Sequence, residues 1–186
     1  MQEKIELLQA RNFGTRFAGA CLAKISLPSE FAERLLVWSH SGKNFLVICG
    51  PAGVGKTYLC AAMLEDILAH YRTYRIWHER SLLERVRGLI GLAHGDYFSH
   101  LHTFIDDDIV IVDDIGSSGY SEWREEILME LVDFRYKDAK PTIFTSNLTK
   151  QNFYDTYNHR IPSRLFAKQN TILDFTGMPD QRALGN

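Results

Sequence analysis

Gly50-Pro51-Ala52-Gly53-Val54-Gly55-Lys56-Thr57 is the most informative segment of this chain. Its spacing, Gly-x-x-x-x-Gly-Lys-Thr, is that of a phosphate-binding loop, in which glycines let successive backbone N–H groups turn toward one anion. A short apolar run (NFLVIC, 44–49) precedes the segment, and a helical pattern from Lys56 to about His70 follows it. This order suits the chemistry, because the helix adds the positive end of its dipole to the phosphate site.

The loop therefore predicts a site for ATP with Mg²⁺. Lys56 is expected to reach the β- and γ-phosphates, and the hydroxyl of Thr57 is expected to bind the metal ion. The residues expected to contact the nucleotide are Gly50, Pro51, Ala52, Gly53, Val54, Gly55, Lys56, Thr57 and Tyr58.

A second run, DIVIVDD at 108–114, predicts a buried strand that ends in two carboxylates. Parallel sheets bind ligands at the carboxyl ends of their strands, so both carboxylates are expected beside the loop. We expect Asp113 to hold Mg²⁺ and Asp114 to orient or deprotonate the attacking water. Asp114 is shorter than a glutamate, which is compatible with slow hydrolysis. The alternative is that the two acids cap the turn that follows, and the acids at 106–108 are expected to be solvated.

Strands that alternate with helices predict an α/β fold. The apolar runs place strands at 44–49, 74–78, 108–112, 141–145 and 171–175, and helices at 28–39, 56–70 and 122–137. Right-handed crossovers between such strands give a parallel sheet covered by helices on both faces. We predict a P-loop NTPase sheet of five parallel strands in the order 5-1-4-3-2. The expected organisation is an N-terminal lead-in with a helix at 1–43 and an ATPase core at 44–186, without a separate lid domain.

The fourth predicted strand ends in the polar residues Thr145-Ser146-Asn147. In this strand order its tip lies between the two phosphate-site strands, where Asn147 could contact the γ-phosphate or its water, or cap the next helix. Further along, Arg160 and Arg164 stand four residues apart. Such arginines can stabilise the transition state in a neighbouring protomer, and a surface ion pair is the alternative for each.

The composition is that of a soluble globular protein, with 45% hydrophobic and 24% charged residues. There is no apolar run near the roughly 20 residues that span a bilayer, and the charged start does not resemble a secretory signal. Cys21, Cys49 and Cys60 lack metal-site spacing, and the last two lie in segments expected to be buried. We therefore expect a cytoplasmic protein without membrane contact.

The net charge of −2 does not indicate nucleic-acid binding, but the charges are unevenly distributed. Arginines are concentrated between 72 and 87, acids dominate the next segment, and basic residues prevail from 135 onward. Ordinary solvated faces explain such blocks. The alternative is a protomer with two charge poles that stacks head to tail, or a local anion-binding surface.

From about Phe13 to Arg182 the chain resembles the AAA+ ATPase domain of the DnaC/IstB-like family, and within it the DnaC-type replicative helicase loaders. The resemblance rests on the segments GPAGVGKT, IVIVDDIG, SEWREEILMELVDFRY, PTIFTSNLT, RIPSRLF and FTGMPDQR, in this order. It implies an ASCE-type AAA+ core. It also implies that Arg164 is an arginine finger with Arg160 as a second candidate, that Asn147 is sensor 1, and that Arg182 is sensor 2.

The partners implied by the resemblance are a hexameric replicative helicase and single-stranded DNA, with self-association through Arg160 and Arg164. The family binds single-stranded DNA through a helical insertion, here about 81–105. Its candidates for base stacking and backbone contact are Tyr97, Phe98, Phe104, Arg80, Arg85 and Arg87. For the three rings, packing in the core is the alternative.

We therefore expect an ATP-hydrolysing accessory protein of DNA replication, of the helicase-loader type. An IstB-like helper of transposition and a non-hydrolysing switch whose assembly ATP controls are the alternatives. A small-molecule kinase fits less well, because the sequence has no arginine-rich lid insertion and its Asp-Asp and Ser-Asn strand ends suit water activation.

Overall fold

The computed structural model describes residues 1–89 and 97–183, excluding the side chain of Tyr97. The helices are α1 (Gln2–Phe13), α2 (Ser29–Ser41), α3 (Lys56–Ala62), α4 (Leu64–His70), α5 (Glu79–Arg87), α6 (Tyr97–Ile105), α7 (Glu122–Lys137), α8 (Lys150–Thr156) and α9 (Arg160–Leu165). The strands are β1 (Phe45–Cys49), β2 (Tyr74–His78), β3 (Ile109–Ile115), β4 (Thr142–Ser146) and β5 (Thr171–Asp174). Short 3₁₀ turns at Thr15–Phe17 and Leu22–Lys24 lie between α1 and α2.

The five strands form one parallel sheet in the order β2-β3-β4-β1-β5. This is the predicted order taken from the opposite edge, so the predicted fold is confirmed. In the register, Cys49 at the end of β1 pairs with Ser146 at the end of β4. Because the strands are parallel, their carboxyl ends meet at one edge of the sheet, where this fold binds ligands.

The sheet is covered on both faces, which explains why its central strands are buried and why β1 is continuously apolar. All five residues of β1 and all five of β4 are buried. Alternate side chains of β1 enter opposite cores. Leu46 and Ile48 pack on one face of the sheet with the four helices α1 through α4. Phe45 and Val47 pack on the other face with the five helices α5 through α9. Within the described ranges, no helix is long and apolar enough to cross a bilayer.

The segment before β1 packs against the first of these cores. Phe13, Phe17, Leu35 and Trp38 are buried there with residues of α3 and α4. The division of the chain into a lead-in at 1–43 and a core at 44–186 stays a prediction.

The predicted helix at 56–70 is wrong in one respect, because it is broken at Met63 between α3 and α4. The buried side chain of Gln9 on α1 donates hydrogen bonds to the carbonyls of Ala20 (2.7 Å) and Ala61 (3.0 Å). A side-chain donor at a helical carbonyl is a known cause of such a break. It also ties α1 to the helix that carries Lys56.

The predicted helix at 122–137 is confirmed, and the hydroxyl of Ser121 caps it by accepting a bond from the Arg124 N–H at 3.3 Å. Its predicted apolar face is only half buried: Ile127 and Leu131 lie in the core, whereas Trp123 and Phe134 are partly exposed.

The acids at 106–108 were expected to be solvated, and this is wrong for Asp107, whose side chain is only 13% exposed. Asp106 and Asp108 are exposed, as expected. Asp107 accepts from Nε of Arg75 at 2.9 Å. Asp108 accepts from the backbone N–H groups of Arg72 and Thr73, each at 3.0 Å. These bonds, with that of Thr73 first, lower the pKa of Asp108. The two carboxylates thus join β2 and the loop before it to the segment that precedes β3.

Candidate nucleotide site

The phosphate-binding loop leaves β1 and enters α3 at Lys56. It packs tightly against the segment after β5 at two glycines with positive φ, Gly50 (φ 142°) and Gly53 (φ 87°). A Cβ at Gly50 would lie 2.8 Å from Cβ of Phe175, and one at Gly53 would overlap the carboxylate of Asp180. Glycine is therefore required at both positions for its backbone angles, and at Gly50 also for its size, because a Cβ there would meet the backbone of Phe175.

Lys56 lies at the centre of the site and is only 7% exposed. Its ammonium donates to the carbonyls of Gly50 and Pro51, both at 2.7 Å, and to Oδ1 of Asn147 at 2.8 Å. Burial lowers the pKa of Lys56, and the negative charges of Asp114 and Asp113 oppose this change. All three ammonium protons have acceptors, and oxygens of a phosphate can replace them.

The two aspartates reach the same site because β3 contains a β-bulge. The pairing of β3 with β4 shifts register between Val112 and Ile115. Asp114 has a left-handed backbone (φ 63°), which aspartate adopts more readily than most residues. Without a bulge, consecutive strand residues point to opposite faces. β3 thus extends through both aspartates to Ile115, whereas the sequence placed its end at 112.

Thr145 on β4 binds both aspartates. Its hydroxyl donates to Oδ1 of Asp113 at 2.6 Å and accepts from the N–H of Asp114 at 2.8 Å. Asp113 is 2% exposed, and the hydroxyl of Thr57 lies 3.2 Å from both of its carboxylate oxygens. His78, at the end of β2, places Nδ1 3.2 Å from Oδ2 of Asp113.

Asn147 bridges the lysine and the second aspartate. Its Oδ1 accepts from Nζ of Lys56 at 2.8 Å, and its Nδ2 donates to Oδ1 of Asp114 at 2.7 Å. Asn147 does not cap the next helix, since Thr149 caps α8 by accepting from the N–H of Asn152 at 3.2 Å. The alternative of a capping role for Asn147 is therefore wrong.

The oxygen ligands at the site suit Mg²⁺. Thr57 offers a hydroxyl and Asp113 a carboxylate, which are the hard donors that this ion prefers. Among the described residues, no group of three or more histidine, cysteine or acidic side chains could hold a metal by itself. Mg²⁺ in nucleotide sites commonly uses one or two protein ligands together with phosphate oxygens and waters.

The three arginines singled out from the sequence lie at two places. Arg160 and Arg164 on α9 both pair with Asp133 of α7. Arg182 follows β5 in the segment that packs on the phosphate-binding loop, where the N–H of Gln181 donates to the carbonyl of Gly53 at 3.0 Å. Burial lowers the pKa of Lys56, and the nearby positive charge of Arg182 also contributes.

The aromatic rings of the insertion pack largely on the protein itself. Phe98 and Phe104 lie against the second core, and the ring of Phe104 is 5.9 Å from that of Trp77. Core packing, the alternative to base stacking, thus describes these two rings. The side chain of Tyr97 lies outside the described residues.

Arginines of α5 lie at the surface of the same region. Arg87 places its guanidinium 4.9 Å from the ring centre of Trp123, and Arg85 lies 5.5 Å from that of Phe104. A cavity of about 240 Å³ between α5 and the loop after β3 is lined by Arg80, Leu83, Glu84, Arg87, Ser118 and Arg124.

The profile of the family described as IstB-like ATP binding protein matches residues 31–161 of this chain. That range contains the phosphate-binding loop, both aspartates of the β-bulge and Asn147. The chain belongs to this family. It is therefore an ATP-binding protein with a P-loop AAA+ fold, and the resemblance noted in the sequence is confirmed.

Relatives of the IstB-like chain include insertion-sequence ATP-binding proteins and replicative helicase loaders. An insertion-sequence ATP-binding protein of Pseudomonas fluorescens is 30% identical over 142 residues, which cover 72% of this chain and 59% of that protein. The replicative helicase loader DnaC of Buchnera aphidicola is 23% identical over 147 residues, covering 78% and 56%. The chain thus spans less than two thirds of the length of either relative.

The fold of the IstB-like chain also occurs in solved structures. A crystal structure of the DnaC helicase loader matches with a TM-score of 0.71 and 24% identity, covering 86% of this chain and 98% of the other. At this identity the match shows the shared fold only.

Two residues of the IstB-like chain that no sequence pattern singled out lie around the aspartates. His78 contacts Asp113, and the buried carboxylate of Glu79 accepts from the N–H groups of Gly116 (3.1 Å) and Ser118 (3.3 Å). The sequence did contain a signal for His78, which is the polar last residue of a predicted strand and therefore lies at the ligand-binding edge of the sheet. Glu79 gave no such signal, because its acceptor role depends on a loop 37 residues away.

Proposed function

We propose that this IstB-like protein hydrolyses ATP in a Mg²⁺-dependent reaction that is slow in a single protomer and faster in an assembly. The observation that carries the proposal is the continuous set of contacts from Lys56 through Asn147 to Asp114, beside the pair of Thr57 and Asp113. It joins a phosphate-binding cation, a candidate base and a candidate metal site within one group of hydrogen-bonded side chains.

The phosphate-binding part consists of the loop N–H groups and Lys56. Lys56 exchanges its contacts with Gly50 and Pro51 for oxygens of the β- and γ-phosphates. Thr57 and Asp113 would hold Mg²⁺, which when bound neutralises phosphate charge. His78 and Thr145 fix the orientation of the Asp113 carboxylate from either side.

The hydrolytic part consists of Asp114 and Asn147. A water attacks the γ-phosphorus, the bond to the β–γ bridging oxygen breaks, and ADP leaves. Asp114 orients this water and accepts its proton, and Asn147 fixes the Asp114 carboxylate through the 2.7 Å hydrogen bond. The left-handed backbone of Asp114 directs the carboxylate toward Asn147 and not toward the opposite face of the sheet.

The assembly part consists of the arginines. Arg160 is 62% and Arg164 26% exposed at the side chain, so both can meet a neighbouring protomer. A guanidinium that enters from a neighbour stabilises the charge that develops on the transferred phosphoryl group. Arg182, which lies beside the loop of its own protomer, adds a positive charge near Lys56.

We further propose that the assembled protein is a replication accessory of the helicase-loader type, which acts in the cytoplasm on single-stranded DNA and a hexameric replicative helicase. The DnaC relative and the arginine-lined cavity beside α5 support this role. The second candidate is a helper ATPase of transposition, which is favoured by the 30% identity with an insertion-sequence protein.

Phosphate release tests the hydrolytic proposal. Wild-type turnover of ATP should require Mg²⁺, rise more than linearly with protein concentration and fall strongly in Asp114→Asn. Asp66→Asn, which removes an exposed carboxylate on α4, is the control and should behave as wild type. Tight ATP binding without turnover at any protein concentration would instead identify a non-hydrolysing switch.

Affinity capture distinguishes the two biological roles. Immobilised protein with ATP should retain a purified replicative helicase, and the Lys56→Ala variant should not. ATP-dependent retention of an insertion-sequence transposase, with no retention of helicase, would establish the second candidate.

A further inference from the structure

One carboxylate on α7 holds both arginines of α9. Oδ1 of Asp133 lies 2.8 Å from Nε of Arg164, and Oδ2 lies 3.1 Å from Nη2 of Arg160. The side chains of Asp133 and Arg164 are 28% and 26% exposed. Partial burial leaves the attraction between such charges less screened than at an open surface.

α7 also fixes the start of α9. The carboxylate of Glu125 accepts from the N–H of Asn158 and, at 3.1 Å, from the hydroxyl of Tyr120. Asn158 in turn accepts from the N–H of Arg160 at 3.1 Å through its side-chain oxygen. The backbone of α9 is therefore held independently of Asp133, which leaves Asp133 to determine where the guanidinium groups lie.

The contact between Asp133 and Arg164 depends on charge. Oδ1 of Asp133 accepts no hydrogen bond from the described residues, although Nε of Arg164 lies 2.8 Å away. It is an ion pair without a directed hydrogen bond. An asparagine at position 133 would keep the shape of the side chain but lose this attraction.

The Arg164 guanidinium faces Asp133 through its Nε. Within residues 1–89 and 97–183, its Nη1 makes a single, long hydrogen bond of 3.4 Å, to the carbonyl of Arg160. Arginine binds phosphate oxygens in pairs through its planar set of N–H groups. Two terminal nitrogens are thus left for a phosphate while the carboxylate holds the other end.

We propose that Asp133 is a positioning residue for ATP hydrolysis, holding the Arg164 guanidinium so that its terminal nitrogens meet the triphosphate of a neighbouring protomer. The inference rests on the proposed function, because it requires hydrolysis between protomers. Asp133 acts only through the arginine and makes no contact with nucleotide. A substitution of Asp133 therefore lowers ATP turnover when it is in the chain that donates the arginine, and not when it is in the chain that binds ATP.

Mixed assemblies separate these two chains. A Lys56→Ala protomer lacks the phosphate-binding lysine but still presents Arg164, and an Arg164→Ala protomer binds ATP but presents no such arginine. Each variant alone should be nearly inactive, and their mixture should recover ATP turnover. Asp133→Asn is then added to one chain or to the other.

With Asp133→Asn on the Lys56→Ala chain, turnover of the mixture should fall by about tenfold or more with an unchanged KM for ATP. With the same change on the Arg164→Ala chain, turnover should stay at the level of the parent mixture. Equal losses in both placements would show a general structural effect and overturn the proposal, as would no loss in either.

Two further variants complete the test. Glu130→Gln, on the same helix, removes a carboxylate of similar exposure (33%) that pairs with His102 and should leave the mixture unchanged in the absence of DNA. Asp133→Glu keeps the charge and should recover part of the turnover. If wild type hydrolyses ATP but the mixture of Lys56→Ala and Arg164→Ala chains does not, the trans-acting arginine and this inference are refuted. If wild type itself is inactive, the proposed hydrolysis is refuted.

Discussion

The side chain of Asn147 donates a hydrogen bond to Asp114, with Nδ2 2.7 Å from Oδ1. The same amide accepts a hydrogen bond from Lys56 at 2.8 Å. One short polar side chain thus links the phosphate-binding cation to the candidate base. The two contacts also assign the orientation of the amide, with Oδ1 toward Lys56 and Nδ2 toward Asp114. The catalytic proposal follows from this link.

Asn147→Ala removes both hydrogen bonds and leaves the Asp114 carboxylate without an orienting donor. We expect kcat for ATP to fall by about 100-fold, while ATP affinity changes much less because the loop and Lys56 are intact. Steady-state kinetics and a separate binding titration measure the two quantities. Asn152→Ala, on α8, is the control. A large loss of affinity with an unchanged kcat would contradict the role of Asn147 in the chemical step.

We expect His78 to make a pH-dependent contribution to the stability of the protein. The hydrogen bond with Asp113 raises the pKa of His78 above its usual 6.5, with burial opposing. The stability gained from protonated His78 is therefore complete below pH 6.5 and is lost as the pH rises through the raised pKa.

Urea unfolding without Mg²⁺ tests this dependence. The difference in unfolding free energy between wild type and His78→Gln should be larger at about pH 6 than at about pH 8.5. His70→Gln, at an exposed position in the last turn of α4, serves as the control. Equal differences at both pH values would mean that His78 does not interact with Asp113 as a cation.

Two of the three thiols should resist alkylation in the folded protein. Burial, with a smaller influence of Asp174, raises the pKa of Cys49 to about 12, and burial also raises that of Cys60. Cys21 is only partly buried. Mass spectrometry after iodoacetamide treatment near pH 8 should find Cys21 modified, and all three thiols modified in urea. Rapid modification of Cys49 without unfolding would contradict its placement in the sheet.

The arginine-lined cavity should contribute to DNA binding through phosphate contacts. The double variant Arg80→Gln, Arg87→Gln should bind single-stranded DNA more weakly, with a salt dependence that is shallower by about 0.7 per lost phosphate contact. Fluorescence anisotropy at several salt concentrations measures both effects. Arg34→Gln, which changes a partly exposed arginine on α2, should match wild type. A lower affinity with an unchanged slope would argue against direct phosphate contact.

The elements that could be predicted from sequence are those whose signal is local. The phosphate-binding loop, the apolar strands and α7 follow from spacing, apolar runs and a capping serine within short segments. The β-bulge at Asp113 and Asp114 could not be predicted, because a left-handed aspartate is permitted by the sequence but not required by it.

Contacts between distant residues explain the rest of what the sequence could not show. Arg135 has the spacing of an ordinary residue on α7, yet it is fully buried. Its guanidinium donates to Thr142 at 2.6 Å and to the carbonyl of Pro141 at 2.7 Å. The shared pairing of Arg160 and Arg164 with Asp133 likewise appears only when α7 and α9 are packed together.

All these proposals depend on the assignment of the phosphate-binding loop as the nucleotide site. Titration calorimetry of ATP binding to Lys56→Ala, with Mg²⁺ present, tests this assignment most directly. Lys56 donates hydrogen bonds to two carbonyls of the loop and to Asn147, so its loss should abolish detectable ATP binding and the thermal stabilisation that ATP gives to wild type. The variant should remain folded, since removal of a buried ammonium spares the sheet. ATP binding by folded Lys56→Ala with wild-type affinity would contradict the assignment of this loop as the nucleotide site.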